Sequence, residues 1–139
     1  MSINLIVVTP AGEAFGQAVD SVVLPGAEGD FGVLEEHARF LAPLKAGPME
    51  IKLADGGVEW AAVSAGFAEV SGDHVVVLVD ECYKAHEIDL DHATLTRDEA
   101  EKALAELMKQ EHEAEVRARL EENVVRASVQ IEVHGRFRS

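Results

Sequence analysis

Six histidines, one cysteine and twenty-six carboxylates are the groups in this 139-residue chain with the chemistry for catalysis or metal binding. His112-Glu113-Ala114-Glu115-Val116 begins like the helix of a zinc peptidase, but such a site needs a second histidine where Val116 stands. His86 and His92 are six positions apart, which does not place both on one helix face. No metal site is therefore expected. Cys82 lies near His74 and His86 in sequence, with no other sign of an activated nucleophile, so it reads as a packed thiol. Gly26, Gly29 and Gly32 repeat every third residue, without the lysine and hydroxyl of a P-loop and without the dinucleotide pattern. Glu28 and Asp30 inside that repeat would repel phosphate, so the three glycines read as positive-φ positions in a bent loop. The pairs Glu35-Glu36 and Glu121-Glu122 read as solvated faces. No catalytic constellation emerges, and the chain reads as a non-enzyme.

The elements around these residues fall into two textures. Ile3–Thr9, Val19–Leu24, Met49–Leu53, Val58–Val63, Ala65–Val70 and His74–Val79 are short β-rich runs, with Asp55-Gly56-Gly57 turning one hairpin. Strands and turns at this spacing predict an antiparallel β-sandwich. From His74 to His134 there is neither glycine nor proline, and from Asp89 onward Ala, Glu, Leu, Lys and Arg dominate. Thr96-Arg97-Asp98-Glu99 has the spacing of a capping box. Ala100, Ala103, Leu104, Leu107 and Met108 form one apolar helix face, and Val116, Leu120, Val124, Ala127 and Ile131 form another. A turn is expected about Lys109–Glu113, although those residues also permit one continuous helix. The predicted class is α+β: a sandwich over residues 1–87, then a helical hairpin over 88–139 that is separable and mobile.

Formal charge is −14, which excludes the basic footprint of a nucleic-acid surface and disfavours anionic lipid. Residues 1–87 carry 14 acids and 4 bases, while residues 88–139 carry 12 and 8. The later bases concentrate at Arg117, Arg119, Arg126, Arg136 and Arg138. The amino terminus lacks the basic n-region of a secretory leader, and no apolar run approaches the roughly 20 residues of a membrane span. A cytoplasmic location without direct membrane insertion is expected.

The segment Val22-Val23-Leu24-Pro25-Gly26-Ala27-Glu28-Gly29-Asp30-Phe31-Gly32-Val33-Leu34, followed by His37-Ala38 and Leu44-Lys45-Ala46-Gly47, resembles the ε subunits of F-type ATP synthases (δ in mitochondria). Ser64-Ala65-Gly66-Phe67-Ala68-Glu69-Val70 and Val75–Asp80 are similar to later strands of that family, and Ile88-Asp89-Leu90-Asp91 stands where its helical domain opens. The resemblance implies a non-catalytic rotor subunit of the central stalk, packed on γ and on the polar loops of the c-ring. It would then lie peripherally at the cytoplasmic face of a bacterial inner membrane. Glu28, Asp30, Phe31 and His37 are the contact residues it suggests, acids for cationic partners and an apolar ring to fill a gap.

In part of the family the tail extends toward the α and β catalytic subunits and inhibits hydrolysis, a role that would fall here to the five late arginines. Some members bind ATP through I-D-x-x-R-A. Here Ile88, Asp89, His92 and Ala93 occupy that pattern, with histidine replacing arginine and its bidentate fork. No cofactor is implied, with nucleotide at these four residues the open alternative. Two other departures are Glu35-Glu36 before His37 and Arg39 after Ala38, where the family carries Pro-Gly and Pro. The competing class is a free-standing ligand-binding sandwich or small enzyme. A large exposed apolar patch would argue against it.

Overall fold

The computed structural model describes residues 2–33, 37–107 and 114–138. Strand β1 (Ile3–Thr9) lies near the middle of a hydrogen-bonded path that also contains β2 (Gly12–Leu24), β3 (Phe31–Val33), β4 (His37–Leu44) and β5 (Gly47–Leu53). The path is completed by β6 (Val58–Val63), β7 (Gly66–Gly72), β8 (His74–Val79) and β9 (Cys82–Lys84). Their order is β4-β7-β8-β1-β2-β5-β6-β9, with β3 paired to β2. Side chains from both ends of this path, Leu44 and Val70 from one and Met49 and Val63 from the other, meet in a single core. The sheet therefore folds over on itself as a sandwich.

Period-two alternation produces that core. Ile3, Leu5 and Val7 are wholly buried while Asn4 is exposed, and Val75, Val77 and Val79 repeat the pattern on β8. β1 pairs antiparallel with β2 but parallel with β8, Leu5 beside Val75 and Val7 beside Val77. This one parallel pair departs from the all-antiparallel expectation. Parallel neighbours need a long crossover, which β2 through β7 supply.

Three further differences have local causes. β4 forms where no strand is expected, and it tolerates Pro43 because an edge strand can lose one N–H. β2 begins at Gly12 rather than Val19, its first half hydrogen-bonded along β1 and mostly exposed apart from the buried Phe15. Among the three glycines of the acidic loop only Gly29 has positive φ, at 137°. Gly26 is instead needed for closeness, since a Cβ there would strike the Gly29 carbonyl and the Phe31 ring. The hairpin at Asp55-Gly56-Gly57 forms as expected, Asp55 Oδ1 accepting from the Gly57 N–H at 2.8 Å.

A short 3₁₀ turn at Ala85–Glu87 leads into α1 (Leu90–Leu107) and α2 (Ala114–Arg138), which pack on each other. Asp89 caps α1, its Oδ1 accepting from the His92 N–H at 3.0 Å. Thr96 consequently lies inside the helix, and the capping box expected there does not form; Asp89, seven residues earlier, already satisfies the first turn. The expected turn at Lys109–Glu113 lies outside the described residues. α2 lies across the outer surface of β5 and β6, where Ala62, Ala85, Ile88 and Val133 form a second apolar cluster with Trp60 and Val129.

Ser64 is the buried polar residue of this assembly. Its Oγ accepts from the backbone N–H groups of Asp80 and Glu81, each at 3.0 Å, and donates to the Ala65 carbonyl at 3.3 Å. Ser64→Ala leaves two partly buried donors unsatisfied. It should cost about 2 kcal/mol and lower the midpoint of a thermal melt by about 5 °C; an unchanged midpoint would remove the assigned role.

Candidate functional site

Three regions carry the residues that the sequence singles out. The first is the loop between β2 and β3. Leu24 passes to a tight turn in which the Gly29 N–H donates to the Gly26 carbonyl at 3.1 Å. The turn is anchored to β4 by Ala27 N–H to the Pro43 carbonyl and Lys45 N–H to the Pro25 carbonyl, both 2.9 Å. Glu28 and Asp30 are exposed on it. Phe31 is half-buried, edge-on to Phe40 with ring centroids 5.8 Å apart, and packs on the main core. The backbone of His37 pairs with Gly72 in β4, while its side chain, like residues 34–36, lies outside the described residues.

The second region is a cavity of about 240 Å³ where the helices meet the sandwich. Ile88, Asp89, His92 and Ala93 all line it, so the structure does bring those four together. Ile88 and Ala93 are buried and apolar; Asp89 is occupied in capping α1. Glu81, Glu87 and Arg126 add charge to the wall, and Tyr83, Thr96, Asn123 and Gln130 add neutral polar groups. Arg126 bridges to Asp80 at 3.3 Å, to Glu81 at 3.5 Å and to Glu122 at 2.7 Å. Cys82 lies on the strand beneath. Burial pushes its thiol up to about 11, with Glu87 and Glu59 adding to the shift and Lys84 opposing it, so the thiol is protonated at neutral pH.

The late arginines do not form one group. Arg117 pairs with Glu121 one turn on, at 3.3 Å, and Arg119 is exposed. Arg126 faces the cavity. Arg136 bridges to Glu132 at 3.5 Å and stacks over Trp60, 4.7 Å from the ring centroid. The backbone of Arg138 belongs to α2, and its side chain lies outside the described residues.

The third region was not visible in the sequence. On the face opposite α2, Leu41, Phe67 and Leu78 are 66%, 52% and 51% exposed. They sit on adjacent strands: Pro43 pairs with Phe67, Phe67 with Leu78, and Leu78 with Val8. The ion pair Arg39–Glu69 at 3.6 Å borders them. This is a contiguous apolar strip with a polar rim.

A family model described as "ATP synthase, Delta/Epsilon chain, beta-sandwich domain" matches residues 2–85. The chain belongs to the ATP synthase delta/epsilon family. It is similar to the ATP synthase epsilon chain of Nitratidesulfovibrio vulgaris, 39% identical over 128 residues that cover 92% of this chain and 95% of that one. The epsilon chain of Geotalea daltonii is 40% identical over 123 residues, 88% of each. The fold is shared with a chain in the Euglena gracilis mitochondrial ATP synthase OSCP/F1/c-ring structure. There the TM-score is 0.77 at 22% identity, covering 94% of this chain and 79% of that one. As a delta/epsilon family member it is a non-catalytic ATP synthase subunit, which displaces the free-standing enzyme or ligand-binding alternative. Among the described residues of this epsilon-type chain, no helix is long and apolar enough to cross a membrane.

Proposed function

We propose that the chain works in the central stalk, holding γ and the c-ring together so that proton flow and rotation stay coupled. The observation that carries this reading is the apolar strip of Leu41, Phe67 and Leu78 on strands β4, β7 and β8. Exposed apolar area of this kind, rimmed by charge, marks an interface rather than a free monomer surface. It is supported by the other outward face, on β5 and β6, being already covered by α2. γ fits the strip, and the acidic turn with Glu28 and Asp30, together with Phe31 and His37, fits cationic groups on the c-ring loops. The complex would sit at the cytoplasmic face of a bacterial inner membrane, with this subunit attached peripherally.

The helical tail is proposed to reach the α and β catalytic subunits transiently and to restrain hydrolysis. In the docked form Arg117, Arg126 and Arg136 are paired within the chain, so that role requires α2 to leave the sandwich. The cavity of Ile88, Asp89, His92 and Ala93 is proposed to hold no nucleotide. Glu81, Glu87 and Asp89 ring it, and the Arg126 guanidinium is already shared by three carboxylates.

Three measurements test these proposals. Phe67→Ala with Leu78→Ala should weaken association with purified γ–c-ring stalk about tenfold to a hundredfold while leaving the thermal midpoint unchanged, and Glu28→Lys with Asp30→Lys should act in the same direction. Undiminished association by both variants sinks the docking reading. Removing residues 88–139 should raise ATP hydrolysis by the assembled enzyme with coupling retained, and an unaltered rate means the tail is no brake. In calorimetry, millimolar ATP should give no saturable heat with the isolated chain; micromolar saturation would reverse the cavity assignment.

A further inference from the structure

The last turns of α2 end over a row of side chains that three strands present side by side. Val23 on β2 pairs with Glu50 on β5, and Glu50 pairs with Trp60 on β6. Asp30, one residue before β3, hangs over the end of this row, because Phe31 and Gly32 pair with Leu24 and Val23. Together with Pro48 and Arg136 these residues line one cleft of about 200 Å³. Arg136 lies with its guanidinium 4.7 Å from the Trp60 ring centroid. Glu132, one turn back on α2, pairs with the same guanidinium at 3.5 Å. A cation over an indole face gains from the ring quadrupole, and the carboxylates of Asp30 and Glu50 in the same cleft add to the field for a positive charge.

We propose that Trp60, Asp30 and Glu50 form a seat for the Arg136 guanidinium, and that this contact latches the end of α2 to the sandwich beside the acidic loop. The seat joins two parts of the chain that are far apart in sequence, the Glu28–Asp30 turn and the carboxyl-terminal helix. A cationic side chain of a partner that engages Asp30 withdraws one carboxylate from the seat and loosens the helix end. The loop thereby senses a partner and the tail answers. The latch rests on the geometry alone; its response to a partner rests on the docking role proposed for the loop.

Hydrogen exchange of the Gln130–Gly135 amides in the full-length chain, without any partner, tests the latch separately from docking. Arg136→Ala should speed exchange there about threefold, the factor expected for a partly exposed cation–π contact. Arg136→Lys should keep most of the protection. Trp60 is the chain's one tryptophan, so its fluorescence should become more accessible to acrylamide in Arg136→Ala. In a Trp60→Leu background, Arg136→Ala should add little, because the paired effect is then already lost. Asp30→Asn should speed exchange at the same amides although it alters a different element. Unchanged exchange in Arg136→Ala overturns the latch. Faster exchange in Arg136→Ala with none in Asp30→Asn or Glu50→Gln overturns its connection to the loop.

Discussion

The hydroxyl of Ser64 holds the two N–H groups of Asp80 and Glu81, and much of the molecule follows from that bend. At this point the chain leaves β8, on the side of the sandwich that carries Leu78, and crosses to β9 beside β6. The bend is partly buried, and an apolar residue at 64 would leave its two amides without this partner. Fixing the bend also fixes the carboxylates of Asp80 and Glu81. Those carboxylates meet Arg126 of α2, so a single buried hydroxyl sets both the strand crossing and the place where the helix is received.

From that crossing follow two outward faces of opposite character. One, over β5 and β6, is closed by the chain's own helix through Ala62, Ile88 and Val133. The other, over β4, β7 and β8, keeps Leu41, Phe67 and Leu78 in contact with solvent. Burying such side chains is worth about 1.5–3 kcal/mol each, so leaving three of them together is costly unless a partner covers them. The acidic turn stands at the margin between the faces, tied by backbone bonds to β4 and lining the cleft under Arg136. Charge and apolar area are thus divided between separate surfaces.

Much of this was legible in residue order. The β-rich runs Ile3–Thr9 and His74–Val79 specify strands, alternation in Met49–Leu53 specifies which side chains share a face, and Asp55-Gly56-Gly57 specifies a hairpin. Period two does not say which of two faces is left open, so nothing in the sequence marks Phe67 as a surface residue. Pro43 hides β4, because only the edge position that tertiary structure supplies makes a proline acceptable there. Ile88, Asp89, His92 and Ala93 were grouped in the sequence by their resemblance to the family's I-D-x-x-R-A pattern, and they do line one cavity. Arg126 was not readable as their neighbour, because its position depends on how α2 lies on α1 and on the sandwich. Asp89 illustrates a different limit. The residue was marked for a ligand, yet its carboxylate serves a backbone amide three residues on.

The composition of the helix–sandwich contact determines how firmly the tail is held. Ala62 and Ala85 are its small buried members, Ile88 and Val133 are the larger ones, and Trp60 and Val129 pack partly buried beside them. An alanine methyl contributes only about 0.8 kcal/mol on burial, so apolar adhesion here is modest beside that of the sandwich core with Leu5, Leu24, Met49 and Ile51. The remaining grip comes from Arg126, which meets the exposed Asp80 and the more covered Glu81, and from Arg136 over Trp60; Glu122 and Glu132 lie on α2 itself and only hold these arginines in place. Exposed ion pairs of that sort contribute at most about 1 kcal/mol and weaken with salt. A large core of valine, leucine and isoleucine thus keeps the sandwich in one state, while a small separate seam pinned by two arginines lets the helices be displaced without unfolding what lies beneath them.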